Sequence, residues 1–213
     1  MCGMCKCLYV VDPTSNLYTL DAATGSSHLV GAVGIASVTD IAFHGSTLYG
    51  INFTQFLRLN PDTGAGVVVG AIGGGFGTNG LAVASDGTVY AASGGQLIKI
   101  NPVTGAGTLV GNFGGGLTSS GDIVFDCNDV LFGALNQGGT VVLAQINRNT
   151  GVATVIGSTG FNTVYGLAFL GGRLYGVTGA GQLLTINVAS GAAVVTGKNA
   201  LTQWGMAAKP CCC

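Results

Sequence analysis

Glutamate is absent from this 213-residue chain, and charge of either sign is scarce: eight aspartates stand against seven lysines and arginines, for a net charge of −1. Charged residues make up 7% of the sequence, where an ordinary soluble domain carries about a quarter. Nucleic-acid backbones and anionic bilayers are recognised mainly through clustered lysine and arginine, and here the basic residues stand singly, which argues against both partners. Four prolines are too few for a proline-rich linker. The uncharged tract from Thr63 to Ser85 is broken by glycines and its pattern recurs elsewhere, so it does not read as a membrane span. The opening MCGMCKC leads into only LYVV before Asp12, short of the apolar segment of a secretory signal, so synthesis in the cytoplasm is expected.

What the chain has in abundance is glycine, 39 residues of it, set among Val, Leu, Ala and Thr. That mixture points to many short strands joined by tight turns. Aligned on itself, the sequence shows one pattern five times: LYTLDAATGSSHLVG, FLRLNPDTGAGVVVG, LIKINPVTGAGTLVG, LAQINRNTGVATVIG and LLTINVASGAAVVTG. The turn glycines fall at Gly25, Gly64, Gly105, Gly151 and Gly191, spaced by 39, 41, 46 and 40 residues. A period near 40 suits one four-stranded propeller blade. Each unit supplies an inner strand (DIAF, GLAV, DIVF, GLAF, GMAA), a second strand (LYVV, LYGI, VYAA, LFGA, LYGV), and the two halves of the segments quoted above. In turns such as NPDTG an Asx side chain can bond its own backbone, proline presets φ, and glycine accepts positive φ.

The order at the ends predicts how the array closes. The chain starts in a second strand, Leu8 to Val11, and finishes in an inner strand, Gly205 to Ala208, so one blade is built from both termini and no open edge remains. This ring closure resembles that of five-bladed β-propellers, and the repeats are similar to the degenerate LYxINPxTGxxTxVG repeats of bacterial and phage propellers. The resemblance covers Leu8 to Lys209 and speaks to fold. The expected organisation is an all-β, five-bladed propeller over residues 8–209, flanked by a cysteine-rich segment at 1–7 and a cysteine cluster at 210–213.

Six of the seven cysteines lie in those flanks: Cys2, Cys5, Cys7, Cys211, Cys212 and Cys213. In a closed ring the two clusters become neighbours, and Cys127 falls in the equivalent hairpin of another blade, so all seven are expected on one rim. Three readings stand open. The thiols are reduced bystanders, or they form a thiolate metal site with the CxxCxC spacing and His44 as a further candidate ligand, or they are disulfides that lock the ring. The favoured reading is disulfides, because a bridge enclosing nearly the whole chain stabilises by a few kcal/mol in the entropic model. An odd count leaves a thiol for a bond to another subunit. Oxidation without an export signal fits a virion component that assembles in the cytoplasm and cross-links after lysis.

The expected ligand mouth is the end of the central channel where loops enter the inner strands, with Asp40, Asn79, Asp122, Tyr165, Gln203 and Trp204 as its polar and aromatic residues. Asp40 and Asp122 are read as backbone caps, with an acid–base pair or a calcium site as the alternative. Neither GxSxG nor a phosphate loop is present, His28 lies on an outer strand, and no cofactor or resident metal is implied. The expectation is a non-catalytic structural or interaction module, disulfide-secured, decorating a virus particle or a similar extracellular assembly through protein subunits. The alternative is a glycan-binding propeller lectin using Trp204, Tyr165 and Asn79.

Overall fold

In the computed structural model, residues 7–209 are described; the expected cross-linking residues Cys2, Cys5, Cys211, Cys212 and Cys213 lie outside them. The described residues form twenty strands in five four-stranded antiparallel sheets. The chain opens with β1 (Cys7–Val11), β2 (Asn16–Asp21) and β3 (Ser27–Ala32). The first complete blade follows as β4 (Asp40–His44), β5 (Thr47–Ile51), β6 (Gln55–Leu59) and β7 (Gly66–Ala71). The second comprises β8 (Thr78–Val83), β9 (Val89–Ser93), β10 (Gln96–Ile100) and β11 (Gly107–Asn112). The third comprises β12 (Thr118–Phe125), β13 (Leu131–Gln137), β14 (Thr140–Ile146) and β15 (Ala153–Ser158). The fourth comprises β16 (Gly166–Leu170), β17 (Arg173–Val177), β18 (Gln182–Ile186) and β19 (Ala193–Lys198). Finally β20 (Met206–Ala208) returns to pair with β1, matching Leu8 with Ala208 and Val10 with Met206, and so completes the closing blade in the order β20-β1-β2-β3. The molecule is a five-bladed β-propeller, closed by its two ends as the repeat order implies.

There is no single core. Five apolar clusters each fill the gap between two neighbouring blades. Ile41 and Phe43 join Val11 and Leu17 on the closing-blade side, whereas Ala42, the residue between them, joins Leu81 and Ile98 on the second-blade side. This is the strand period of two put to use on both faces, and it explains why the inner strands read as unbroken apolar runs. Aromatic pairs reinforce three of the gaps, Tyr9 with Phe43 at 5.2 Å, Tyr90 with Phe125 at 5.6 Å and Phe132 with Phe169 at 5.7 Å.

The repeated motif also encodes the outer rim. In each third hairpin the Asx oxygen accepts two backbone N–H groups, as Asn60 Oδ1 does from Asp62 (2.8 Å) and Thr63 (3.0 Å). The turn glycine that follows takes positive φ, 82° at Gly64, which an L-residue side chain disfavours. That turn packs against a glycine in the bulged outer strand of the preceding blade: a Cβ on Gly70 would stand 1.9 Å from the carbonyl oxygen of Thr104. The same pairing joins Gly31 to Gly64, Gly111 to Gly151, Gly157 to Gly191 and Gly197 to Gly25, the last across the ring closure. A side chain at either partner would hold the blades apart.

The inner strands run from what we call the entry face, where loops lead into them, to the opposite or cysteine face. Each inner strand has a sheet partner on one side only, so its other edge faces the axis. No helix among the described residues is long and apolar enough to cross a membrane.

Candidate functional site

The axis is closed near the entry face by Asp40 and Asp122. Both are fully buried, and they occupy equivalent positions in the first and third inner strands, Asp40 opening β4 and Asp122 standing just past the irregularity that follows Ser119 in β12. The same position in the other blades is Gly80, Gly166 and Gly205. Space requires those glycines: a Cβ on Gly205 would lie 2.0 Å from Asp40 Oδ1, and one on Gly80 3.1 Å from the Asp122 Cα. Two aspartates and three glycines thus share one ring.

The next residue in each strand turns its amide to the axis, and the two carboxyls absorb these groups. Asp40 Oδ1 accepts the N–H of Ile41 at 2.8 Å and its Oδ2 accepts that of Leu81 at 2.6 Å, across a blade boundary. Asp122 Oδ2 accepts from Leu167, and the amides of Ile123 and Met206 also bear on that carboxyl. Three blades contribute a hydrogen-bonded N–H, and the amides of the other two act on Asp122. The two carboxyls also act on each other, and Asp122 Oδ1 is buried with no hydrogen-bond partner, so the pair is expected to share a proton. Burial, and for Asp40 the charge of Asp122 as well, pushes both well above the usual carboxylate range. A cation would face five N–H dipoles there, and a substrate would have no path to either oxygen pair. The arrangement is suited to holding blades together.

The mouth itself is one residue upstream. A pit of about 240 Å³ on the entry face is lined by Thr39, Phe53, Asn79, Ser120, Gly121, Tyr165 and Trp204. Asn79, Tyr165 and Trp204 therefore stand where the sequence places them, while Asp40 and Asp122 lie beneath the pit rather than in it. The reason is local: alternation turns the residue before each position of the axial ring, Thr39, Asn79, Gly121, Tyr165 and Trp204, toward the mouth and the ring residue itself toward the axis. Gln203 is also displaced from the expected mouth. It is fully buried, does not line the pit, and neither Nε2 nor Oε1 has a hydrogen-bond partner.

A second opening was not foreseen. On the cysteine face the channel widens into a cavity of about 490 Å³ whose walls include Phe43, Phe125 and Phe169 and whose rim carries His44, Cys127 and Lys209. Cys7 begins β1 and is half-buried. Cys127, read from the sequence as one of the cross-linking thiols, is exposed and free, because its hairpin holds it out toward solvent. Among the described residues no three metal-ligating side chains converge. On the same face Asp129 accepts from the Ser85 N–H at 2.9 Å and Arg148 lies 3.6 Å from it, tying the hairpins of the second and third blades.

No protein-family model and no curated protein sequence matches the chain. Solved structures do resemble it. A symmetrical protein studied for its de novo evolutionary emergence under folding constraints superposes with a TM-score of 0.65 at 16% identity, covering 94% of this chain and 97% of that one. A chain of the nidogen/laminin complex gives a TM-score of 0.68 at 12% identity, covering 97% and 100%. A protein of unknown function from Bacteroides thetaiotaomicron gives 0.63 at 12% identity, covering 98% and 66%. At such identities the likeness is one of architecture alone, and it is to propeller-like proteins that this chain is similar.

Proposed function

We propose that the chain is a non-catalytic structural and interaction module, secured by disulfides between its terminal cysteine clusters and docked on the protein subunits of a larger assembly, a virus particle or a comparable extracellular structure. The observation that carries the non-catalytic part is the axis, where propellers commonly keep their chemistry. Here its two carboxyls are buried, held well above the usual carboxylate range, and engaged by backbone amides across blade boundaries. The scarcity of charge, the near-neutral surface and the terminal thiols support a component that packs among other subunits rather than one that meets a charged ligand.

Gradient sedimentation of the native material, without reductant, tests this reading. The chain is expected to travel with a high-mass particle and to be retained on it after a salt wash. Recovery as a free monomer, with no heavier species in its source, would overturn the assembly role.

A further inference from the structure

The two faces of the disc differ in charge. On the entry face, Lys198 and the nearly buried Asp12 are the formally charged side chains among the described residues; Asp12 is held by Thr14 and Asn16. Asp40 and Asp122 are internal, and every other charged side chain among the described residues lies on the hairpins of the cysteine face or in the strand halves leading to it. The pit therefore opens at the centre of a nearly uncharged surface.

Its walls combine an aromatic and a polar side, with the exposed Phe53 set beside Asn79, where its carbonyl accepts from the Thr78 N–H at 3.1 Å, and Thr39 completing the lining. Tyr165 and Trp204 belong to adjacent blades and form an aromatic side. The Tyr165 ring is held close to Gly179, where a Cβ would come within 2.8 Å of ring carbon Cε2. Across from them stand Asn79 and Ser120, with Gly121 between the two sides. Gly121 leaves the floor open because any side chain there would strike the Tyr165 backbone, at 2.7 Å. Among the described residues the Asn79 amide nitrogen, the Ser120 and Tyr165 hydroxyls and the Trp204 indole N–H make no hydrogen bond within the protein, and none is buried from solvent. Asn79 Oδ1, the other end of that amide, is buried and unpaired.

We propose that this pit binds one ring of a neutral saccharide. A pyranose presents an apolar C–H face and a perimeter of hydroxyls, which match an aromatic wall opposite an amide and hydroxyl wall. The absence of charge disfavours sialic and uronic acids, which need a cation to offset their carboxylate. The volume, just below the ~300–1,000 Å³ of drug-sized sites, holds a single ring. The inference does not depend on the assembly role proposed above.

Trp204 is the sole tryptophan, so its emission reports on the pit directly. The full-length protein is titrated with glucose, galactose, mannose, fucose, N-acetylglucosamine and N-acetylgalactosamine, and with glucuronic and N-acetylneuraminic acids. At least one neutral sugar is expected to change the emission saturably at millimolar concentration, as a single-ring site allows, and the acids are expected not to. Asn79→Ala and Tyr165→Phe, with unchanged melting temperatures, are expected to weaken that sugar about 2- to 10-fold each. The proposal is overturned if no sugar gives a saturable change up to about 100 mM. It is also overturned if binding survives both substitutions intact, or if the emission responds only to protein concentration, which would make the pit a contact between copies.

Discussion

The Leu81 amide in the second blade donates to Asp40 Oδ2 in the first at 2.6 Å, and Leu167 of the fourth blade makes the same contact with Asp122 of the third. These bonds join blades at the axis, where the inner strands have no sheet partner of their own. Without the two carboxyls, the amides of Ile41, Leu81 and Leu167 would lose their acceptors, and each unpaired buried N–H costs about 1–3 kcal/mol. The pair therefore does at the centre what the glycine contacts do at the rim.

The rim contacts make a paired comparison possible. Gly70→Ala would set a Cβ 1.9 Å from the Thr104 carbonyl oxygen, with backbone on both sides of the clash. Urea denaturation is expected to show a loss of about 2–4 kcal/mol. Gly73→Ala, at a φ of 69° with nothing within 4 Å, is expected to lose only the left-handed penalty of about 1–2 kcal/mol.

Asn60→Ala removes the acceptor for the Asp62 and Thr63 amides. The site is exposed, so water replaces part of what is lost, and a cost of about 1 kcal/mol is expected by the same denaturation assay. Asn101, which accepts from Val103 and Thr104 in the next blade, should behave alike. The double variant should be close to additive, since the two turns share no partner.

Cys127 is exposed and free, so a thiol reagent added to the native protein should modify one fast-reacting group that is absent from Cys127→Ser. That variant should melt within about 1 °C of the parent. If the terminal clusters are bridged as proposed, reduction should lower the melting temperature by on the order of 10 °C while the room-temperature circular dichroism remains. Identical melting curves with and without reductant would remove the clasp from the proposal.

The fold was legible in the chain because one local device, the Asx-containing turn with its glycine, recurs at a near-constant period, and because the two ends carry complementary strands. Leu8 to Val11 and Gly205 to Ala208 were enough to specify the ring closure, though the final strand begins one residue later, at Met206. The mouth was legible only in part. Asn79, Tyr165 and Trp204 were found by their place one residue ahead of the axial ring, but Asp40 and Asp122 looked like mouth residues because the direction of their side chains depends on neighbours distant in the chain, Leu81 for Asp40 and Leu167 for Asp122. Gly80, Gly166 and Gly205 at the equivalent positions were the signal that this ring has room for two side chains, not five. The second glycine of each motif, such as Gly70, was visible as a repeat yet meaningless without the neighbouring blade.

The central claim, that the axial carboxyls are a protonated structural pair, is tested most directly by the pH dependence of unfolding in the parent and in Asp40→Asn. Asp12, Asp86 and Asp129 are shifted the other way. At Asp12 burial is outweighed by bonds from Asn16, Thr14 and Tyr18; at Asp86 bonds from Thr88 lead, and at Asp129 bonds from Ser85. Their contribution is lost as pH falls, so the difference between the two proteins, rather than either curve, carries the information. For a carboxyl whose pKa is raised on folding, the stabilisation is complete below the unfolded value of about 3.8 and is lost as pH rises through the folded value. Asn at position 40 cannot ionise, and it offers one oxygen where Ile41 and Leu81 used two, a cost independent of pH. Asp40→Asn is therefore expected to be destabilised most in acid, with the gap to the parent narrowing as pH rises from about 4 toward neutrality. A gap that is constant, or that widens with pH, would mean that the carboxyls are ionised at the axis and would contradict the claim.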